Sequence, residues 1–327
     1  MNEALKQKIL NAVKDDLGAI EEALAENLSP YLDLVTDIAQ HILFSGGKRL
    51  RPLLTVVCAK LCAYSGNNTI KLSTIFEYLH AATLLHDDLV DGGTLRRGQT
   101  AAHLLWDNSS AVLVGDFLLA RSLSIASETG RTDVIRIVAD ITEKMSQGEI
   151  HQMLNKGALD LTEDEYLQVI SSKTAALFRG ACRFAAIIAD APDEHEQALS
   201  EYGFHLGIAF QMVDDLLDYT VDSAILGKRI GADLREGKLT LPVIHALQDA
   251  ADGDRQRMIR IIQNRNFSNS EFHDLIDLLK TYGGIDYTRQ KAAEHIQIAT
   301  RALAVFDDCP AKEILMDIAQ YAMLRNM

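Results

Sequence analysis

The same acidic pattern occurs twice, as Asp87-Asp88-Leu89-Val90-Asp91 and as Asp214-Asp215-Leu216-Leu217-Asp218. Each closes an aliphatic run with helical spacing. Residues four apart share a helix face, so Asp87 and Asp91 point together, with Asp88 about 100° round. Carboxylates crowded there repel one another and meet the negative end of the helix dipole. Cations would relieve that. Oxygen-only donors suit a hard ion such as Mg²⁺, which takes one or two carboxylates and completes its shell with substrate phosphates. Arg96 and Arg97 follow the first pattern, and guanidinium forks match phosphate oxygens. A single cluster of this kind is as readily a solvated helix end. The duplicate, again followed by basic residues, points to several metal ions holding a diphosphate.

Two further stretches carry positive charge where a chain turns. In Ser45-Gly-Gly-Lys-Arg-Leu-Arg-Pro52 the glycines permit a sharp turn and Pro52 suits the first turn of a new helix. Lys48, Arg49 and Arg51 thus lie at a helix N-terminus, a natural anion site. The glycine-punctuated segment 226–242 holds Lys228 and Lys238 and reads as an ordered loop rather than a linker.

Helical periodicity must position these residues. Leu5, Ile9, Val13, Leu17, Ile20 and Leu24 recur at three- or four-residue steps, predicting one amphipathic helix over 3–24. Further helices are predicted to Phe44, over 53–64 (apolar nearly all round), 70–91, 101–107, 111–127, 132–155, 162–189 and 198–219. Thr162 and Glu165 have capping-box spacing. Breaks are expected at Asn264 to Asn269 and at Gly283-Gly284, and no strand run stands out. The fold class is all-α, with residues 1–327 as a single domain.

Composition narrows the function. The 327 residues are 48% hydrophobic with a net charge of −14, which argues against a nucleic-acid binder, whose affinity would rest on basic surface. An anionic substrate must be held locally, against the global field. Cys58, Cys62, Cys182 and Cys309 show neither a disulfide framework nor metal spacing. With no signal-type N-terminus and no uninterrupted apolar run of about 18 residues, a cytoplasmic protein without a transmembrane segment is expected.

From about residue 20 onward the chain resembles the trans-isoprenyl (polyprenyl) diphosphate synthases, and within them the long-chain branch typified by octaprenyl diphosphate synthases. The resemblance rests on Gly46-Gly-Lys-Arg-Leu-Arg-Pro52, both aspartate motifs, Leu95-Arg-Arg-Gly98, Val114-Gly-Asp-Phe-Leu118 and Gln147-Gly-Glu149. Ser172-Lys-Thr-Ala175, Phe210-Gln211 and the series from Gly227-Lys228 through Glu236-Gly-Lys238 to Thr240-Leu-Pro242 complete it, in the family's order.

The resemblance implies an isoprenoid-synthase helical bundle around an apolar cavity, a Mg²⁺ cofactor and a homodimer. It implies condensation of isopentenyl diphosphate with an allylic diphosphate, farnesyl diphosphate by preference. The product would be an all-trans chain, octaprenyl first, passed to the membrane for the side chain of ubiquinone. Asp87, Asp91 and Asp214 would hold the metal, supported by Asp88, Asp215 and Asp218. Arg96, Lys173, Lys228 and Lys238 would complete the allylic diphosphate cage, with the Thr174 and Gln211 dipoles facing the cationic carbon. Lys48, Arg51, His80 and Arg97 would bind isopentenyl diphosphate, His80 as a neutral or cationic donor. The catalytic set is therefore Asp87, Asp88, Asp91, Lys173, Thr174, Gln211 and Asp214.

Members that stop early carry large aromatics four or five residues before the first aspartate. Here Thr83 and Ala82 are small, so the product tunnel is expected to run on towards Tyr78 and Ile75, against Leu119, Leu123 and Ile125. One departure is Gly92-Gly93, where the branch has an acidic and a small polar residue; a looser loop to Arg96 is expected. Closure of loop 222–242 over the site is a further expectation. The competing readings are a farnesyl or geranylgeranyl diphosphate synthase, a non-catalytic subunit of a heteromeric prenyl synthase and a terpene cyclase. A cyclase would lack the second acidic motif and the basic residues at 48–51.

Overall fold

The computed structural model describes residues 2–220 and 231–324, helical almost throughout. In chain order the helices are α1 (Asn2–Ala12), α2 (Lys14–Glu26), α3 (Asp33–Phe44), α4 (Leu50–Leu61), α5 (Thr69–Val90), α6 (Ala102–Leu105), α7 (Asn108–Ser127) and α8 (Thr132–Leu154). There follow α9 (Glu163–Ile170), α10 (Ala176–Ile188), α11 (Asp193–Thr220), α12 (Ala232–Arg235), α13 (Leu241–Asp249), α14 (Asp252–Gln263), α15 (Asn269–Thr281), α16 (Gly284–Ala302) and α17 (Pro310–Leu324). A two-stranded antiparallel ribbon, β1 (Leu95–Arg96) and β2 (Gln99–Thr100), is the exception that periodicity could not reveal.

The described residues form two compact units. Those up to Glu143, with Leu177–Gly203 and Ala302–Ile318, make the first; Lys144–Ala176, Phe204–Arg301 and those from Ala319 onward make the second.

In the first unit α5 is the central element. It is buried continuously from Leu72 to Leu79 and packs against α2, α3, α4, α6 and α7. Each fully buried Ile75 or Phe76 contributes about 1.5–3 kcal/mol relative to exposure, so the helix that ends in aspartates is firmly anchored. The all-round apolar α4 is buried from Pro52 to Ala59, as its pattern predicts.

The helix expected over 3–24 is interrupted at Val13, whose φ of −116° and ψ of 14° separate α1 from α2. Val13 is buried, and a β-branched residue gives up helical geometry readily. Helix α7 passes the length and hydropathy test for a bilayer span (mean hydropathy 1.4, 39% buried), which the sequence reading had not expected of any segment. Asp116 and Arg121 interrupt it, and it packs on α5, which accounts for its apolar side within a core.

Gly92-Gly93 ends α5 in a Schellman cap. Gly92 has φ of +66°, its N–H donates to Leu89 O at 3.4 Å, and the Gly93 N–H donates to Asp88 O at 2.9 Å. A Cβ on Gly93 would sit 3.3 Å from the Asp88 carboxylate. The pair thus makes a defined left-handed turn at the helix end. Beyond it, Arg97 (φ +51°) and Gly98 (φ +78°) form the two-residue turn joining β1 to β2, with left-handed backbone at both positions as a type I′ hairpin demands.

In the second unit the capping box at Thr162 and Glu165 opens α9 as expected. Between α9 and α10 the chain widens into one π-helical turn, Ser171–Ala175, which carries Lys173 and Thr174. Such turns occur mostly at functional sites. Helix α11 begins at Asp193, five residues before the apolar period starts, with Asp193, Glu194 and Glu196 in its first turn where they favour the helix dipole.

The stretch 231–240 is ordered by several ties. The Asp218 carboxylate accepts from Ala232 N at 3.1 Å and Asp233 N at 3.2 Å. Arg235 lies 3.8 Å over the Phe267 ring and donates to Phe267 O at 2.8 Å. Gly157 N donates to Gly237 O at 2.8 Å.

Candidate active site

In the first unit, Arg49 is structural. Its side chain is 4% exposed and bonds Glu21 at 2.6 and 3.1 Å and Glu77 at 2.9 Å. Lys48 is exposed, and Arg51, in the first turn of α4, has its guanidinium 4.8 Å over the Phe178 ring. The Arg97 guanidinium lies across the Gly46-Gly47 turn and donates to Gly46 O. A Cβ on Gly47 would crowd the Arg97 nitrogens at 3.0 and 3.2 Å, and the φ of +145° there favours glycine.

His80 sits on α5, half-buried. Burial, and then the charges of Arg51, Arg97, Arg96 and Arg49, push its imidazole well below the usual range. That direction favours the neutral imidazole, which can donate one N–H to an anion. Those arginines also bring Arg51, Arg97 and His80 into one electropositive region.

Arg96 donates through Nε to Asp88 Oδ1 at 3.0 Å. Asp88 is only 3% exposed, and its Oδ2 is buried with no hydrogen-bond partner. Asp87 and Asp91 are half-buried. Ala82 is buried; Thr83 is half-buried and donates to His80 O at 2.9 Å. Of the residues expected further down the product tunnel, Ile75, Tyr78 and Ile125 are fully buried. The Tyr78 hydroxyl is tied to Leu24 O at 2.7 Å, whereas Leu123 is 36% exposed on the outer side of α7.

In the second unit a cavity of about 140 Å³ brings together Lys173, Thr174, Gln211 and Lys238, from three stretches that lie far apart in sequence. Thr174 Oγ1 donates to Gln211 Oε1 at 2.8 Å, and Gln211 Nε2 donates to Asp215 Oδ1 at 2.7 Å. Tyr166, also in the cavity wall, donates to Asp215 Oδ2 at 2.6 Å. Lys173 is paired with Glu149, and Lys238 with Glu236 at 2.6 Å. Gly148 permits the first of these pairs, because α8 meets the backbone of the π turn there with no room for a side chain. Lys228 and residues 222–230 of the loop expected to close lie outside the described residues.

The second acidic motif divides by exposure. Asp214 is exposed, Asp215 is 4% exposed, and Asp218 caps α12. Burial, and then the facing Asp233, push the Asp215 carboxyl well above the usual range, against the donors Tyr166 and Gln211. Among the described residues no three His, Cys, Asp or Glu side chains gather at a metal-sized position. Asp87 and Asp91 in the first unit, and separately Asp214 in the second, offer oxygen donors only, the donor type that suits a hard ion drawing its remaining ligands from water and phosphate. Tyr166 and the Glu149–Lys173 pair were missed as site features by sequence reasoning. The Gln147-Gly-Glu149 motif flagged the second; no spacing rule flagged the first.

Acidic helix ends, neighbouring arginines and a lysine-lined cavity on an all-α scaffold define a helical enzyme of diphosphate chemistry. Residues 32–279 match the family described as polyprenyl synthetase. The chain is 36% identical over 320 residues to octaprenyl diphosphate synthase of Escherichia coli (strain K12), covering 98% of this chain and 99% of that one. Among solved structures it is similar to a polyprenyl synthase from Caulobacter crescentus CB15 complexed with calcium and isoprenyl diphosphate (TM-score 0.92, 36% identity, 98% of each chain). It is also similar to a decaprenyl diphosphate synthase from Rhodobacter capsulatus (TM-score 0.91, 41% identity, 98% of each chain). The chain belongs to the polyprenyl synthetase family and is a prenyltransferase enzyme.

Proposed function

We propose that the protein elongates an allylic diphosphate, farnesyl diphosphate by preference, with isopentenyl diphosphate to an all-trans octaprenyl diphosphate. The observation that carries the reading is the cavity in which Lys173 and Lys238 stand beside Thr174 and Gln211. Cations there would neutralise a departing diphosphate, while two oxygen dipoles would face the carbon it leaves. Contacts that strengthen as the C–O bond breaks lower the barrier selectively.

Metal holding is assigned to Asp87 and Asp91 in the first unit and Asp214 in the second, supported by Asp88, Asp215 and Asp218. Bound Mg²⁺ would supply charge neutralisation of the diphosphate. Arg96, Lys173, Lys228 and Lys238 bind the allylic diphosphate. Lys48, Arg51, neutral His80 and Arg97 bind isopentenyl diphosphate. Its double bond attacks the allylic carbon, and the proton then lost passes to the released diphosphate. No covalent enzyme intermediate is required.

The octaprenyl length is supported by the small Ala82 and Thr83 and by the octaprenyl relative, while the decaprenyl relative favours a longer stop. A homodimer is supported by an uncovered apolar stripe on α6 and α7, with Leu104 54%, Leu105 51%, Val112 40% and Leu113 64% exposed. A cytoplasmic location fits the four free cysteines. The test is incubation with Mg²⁺, farnesyl diphosphate and labelled isopentenyl diphosphate, followed by product sizing beside Ala82→Tyr. The unaltered protein should give octaprenyl and the variant a shorter chain; no elongation would return the non-catalytic-subunit reading, and unchanged length in the variant would displace the tunnel from Ala82.

A further inference from the structure

The oxygen and nitrogen ends of a glutamine amide have opposite polarity, so Gln211 can help a developing cation only if its carbonyl faces the substrate. Sequence cannot say which end does. In the second unit the orientation follows from a chain of hydrogen bonds: Tyr166 Oη to Asp215 Oδ2 at 2.6 Å, Gln211 Nε2 to Asp215 Oδ1 at 2.7 Å, and Thr174 Oγ1 to Gln211 Oε1 at 2.8 Å.

The elements impose this. Gln211 and Asp215 are one helical turn apart on α11 and share a face. Tyr166 is set in the first turn of α9 by the Thr162–Glu165 capping box, and the same helical run continues into the π turn that carries Thr174. All four residues line one cavity. Oδ2 accepts from the Tyr166 hydroxyl, and Oδ1 accepts from the Gln211 amide. An acceptor at Oδ1 takes the amide N–H and turns the carbonyl towards Thr174.

We propose that Tyr166 is a positioning residue: through Asp215 it fixes the Gln211 amide with its carbonyl towards Thr174 and the cavity. The proposal rests on the reading that Gln211 and Thr174 face the allylic carbon. Without the phenol, Oδ2 loses its partner, the carboxyl can turn, and the amide can present its N–H₂ end instead.

The test is a double-mutant cycle of Tyr166→Phe and Gln211→Leu, scored by kcat and KM with farnesyl and isopentenyl diphosphates. Tyr166→Phe should lower kcat by about tenfold, part of the roughly 10²–10³ carried by one well-placed dipole, with both KM values within about twofold. In the Gln211→Leu background the same change should cost nothing further. A merely structural role would give equal losses in both backgrounds, and that result, or full kcat in Tyr166→Phe, overturns the proposal. If Gln211→Leu alone keeps kcat, the underlying reading of Gln211 falls instead. A measurement on the unaltered protein guards against misfolding of the variant: the Gln211 side-chain amide, followed by ¹⁵N-glutamine NMR, should show one slowly exchanging proton, and fast exchange of both would refute the network.

Discussion

Replacing Gly148 by alanine would put a methyl carbon 2.8 Å from the Lys173 backbone nitrogen and 2.8 Å from the Ser172 Cβ. Comfortable carbon contacts lie at about 3.5–4.0 Å, so α8 and the π turn would have to part by roughly 0.7 Å. Neither neighbour is the end of a flexible chain, and neither can rotate aside. Displacements near 1 Å at a reacting centre cost about a hundredfold in rate, so kcat is expected to fall by roughly 10- to 100-fold, or about 1.4–2.7 kcal/mol in the barrier. Stability should suffer less, because overpacking of about 1–3 kcal/mol is offset by the roughly 1 kcal/mol that alanine gains over glycine in a helix. Gly18→Ala is the control, since a Cβ there meets nothing within 4 Å. Initial rates with labelled isopentenyl diphosphate, together with a thermal melt of each variant, make the comparison. The KM for isopentenyl diphosphate should hardly move, as Lys48, Arg51 and His80 lie on other elements. A folded Gly148→Ala protein with kcat within twofold of the parent would refute the claim that this contact sets the position of Lys173 and Thr174.

Two further outcomes are expected. Glu77→Ala leaves Arg49, 4% exposed, without one of its two carboxylate partners, and should destabilise the protein by about 3 kcal/mol; urea denaturation showing less than about 1 kcal/mol would mean Glu21 alone suffices. His205 and His295 face each other Nδ1 to Nδ1 at 2.7 Å, and burial, followed by the His205 charge, pushes His295 down to about 4. The unfolded chain takes up that proton first, near pH 6.5, so stability from the pair is full above that pH and is lost as pH falls towards 4. Solvent screening of this part-exposed pair reduces the effect to about 1 kcal/mol; the pH dependence of melting should flatten over this range in His295→Asn, and parallel curves would exclude the pair as the cause.

Much of this was legible in the chain because its signals are periodic or duplicated. The run that buries α5 from Leu72 to Leu79 and the capping box at Thr162 follow from side-chain chemistry at fixed spacing. So do the positions of Asp87, Asp91 and Asp214. What stayed hidden depends on contacts between distant residues. Nothing local shows that Arg49 is consumed by Glu21 and Glu77, for Lys48 and Arg51 close by have the same charge. The π turn at Ser171–Ala175 breaks no propensity rule. The cap made by Gly92-Gly93 was hidden too, because it exists only once the helix supplies its carbonyls.

If Lys173 and Lys238 bind the diphosphate as proposed, their pairing with Glu149 and Glu236 makes substrate capture an exchange of counter-ions. A diphosphate arriving at either lysine must displace a carboxylate that already neutralises it. The observed affinity is then a difference between two ion pairs rather than the strength of one. Added salt screens both sides of that exchange, so binding should weaken with ionic strength less than the number of lysines and arginines would suggest. In a chain of net charge −14, internal counter-ions of this kind also keep the lysines from recruiting other anions while they wait.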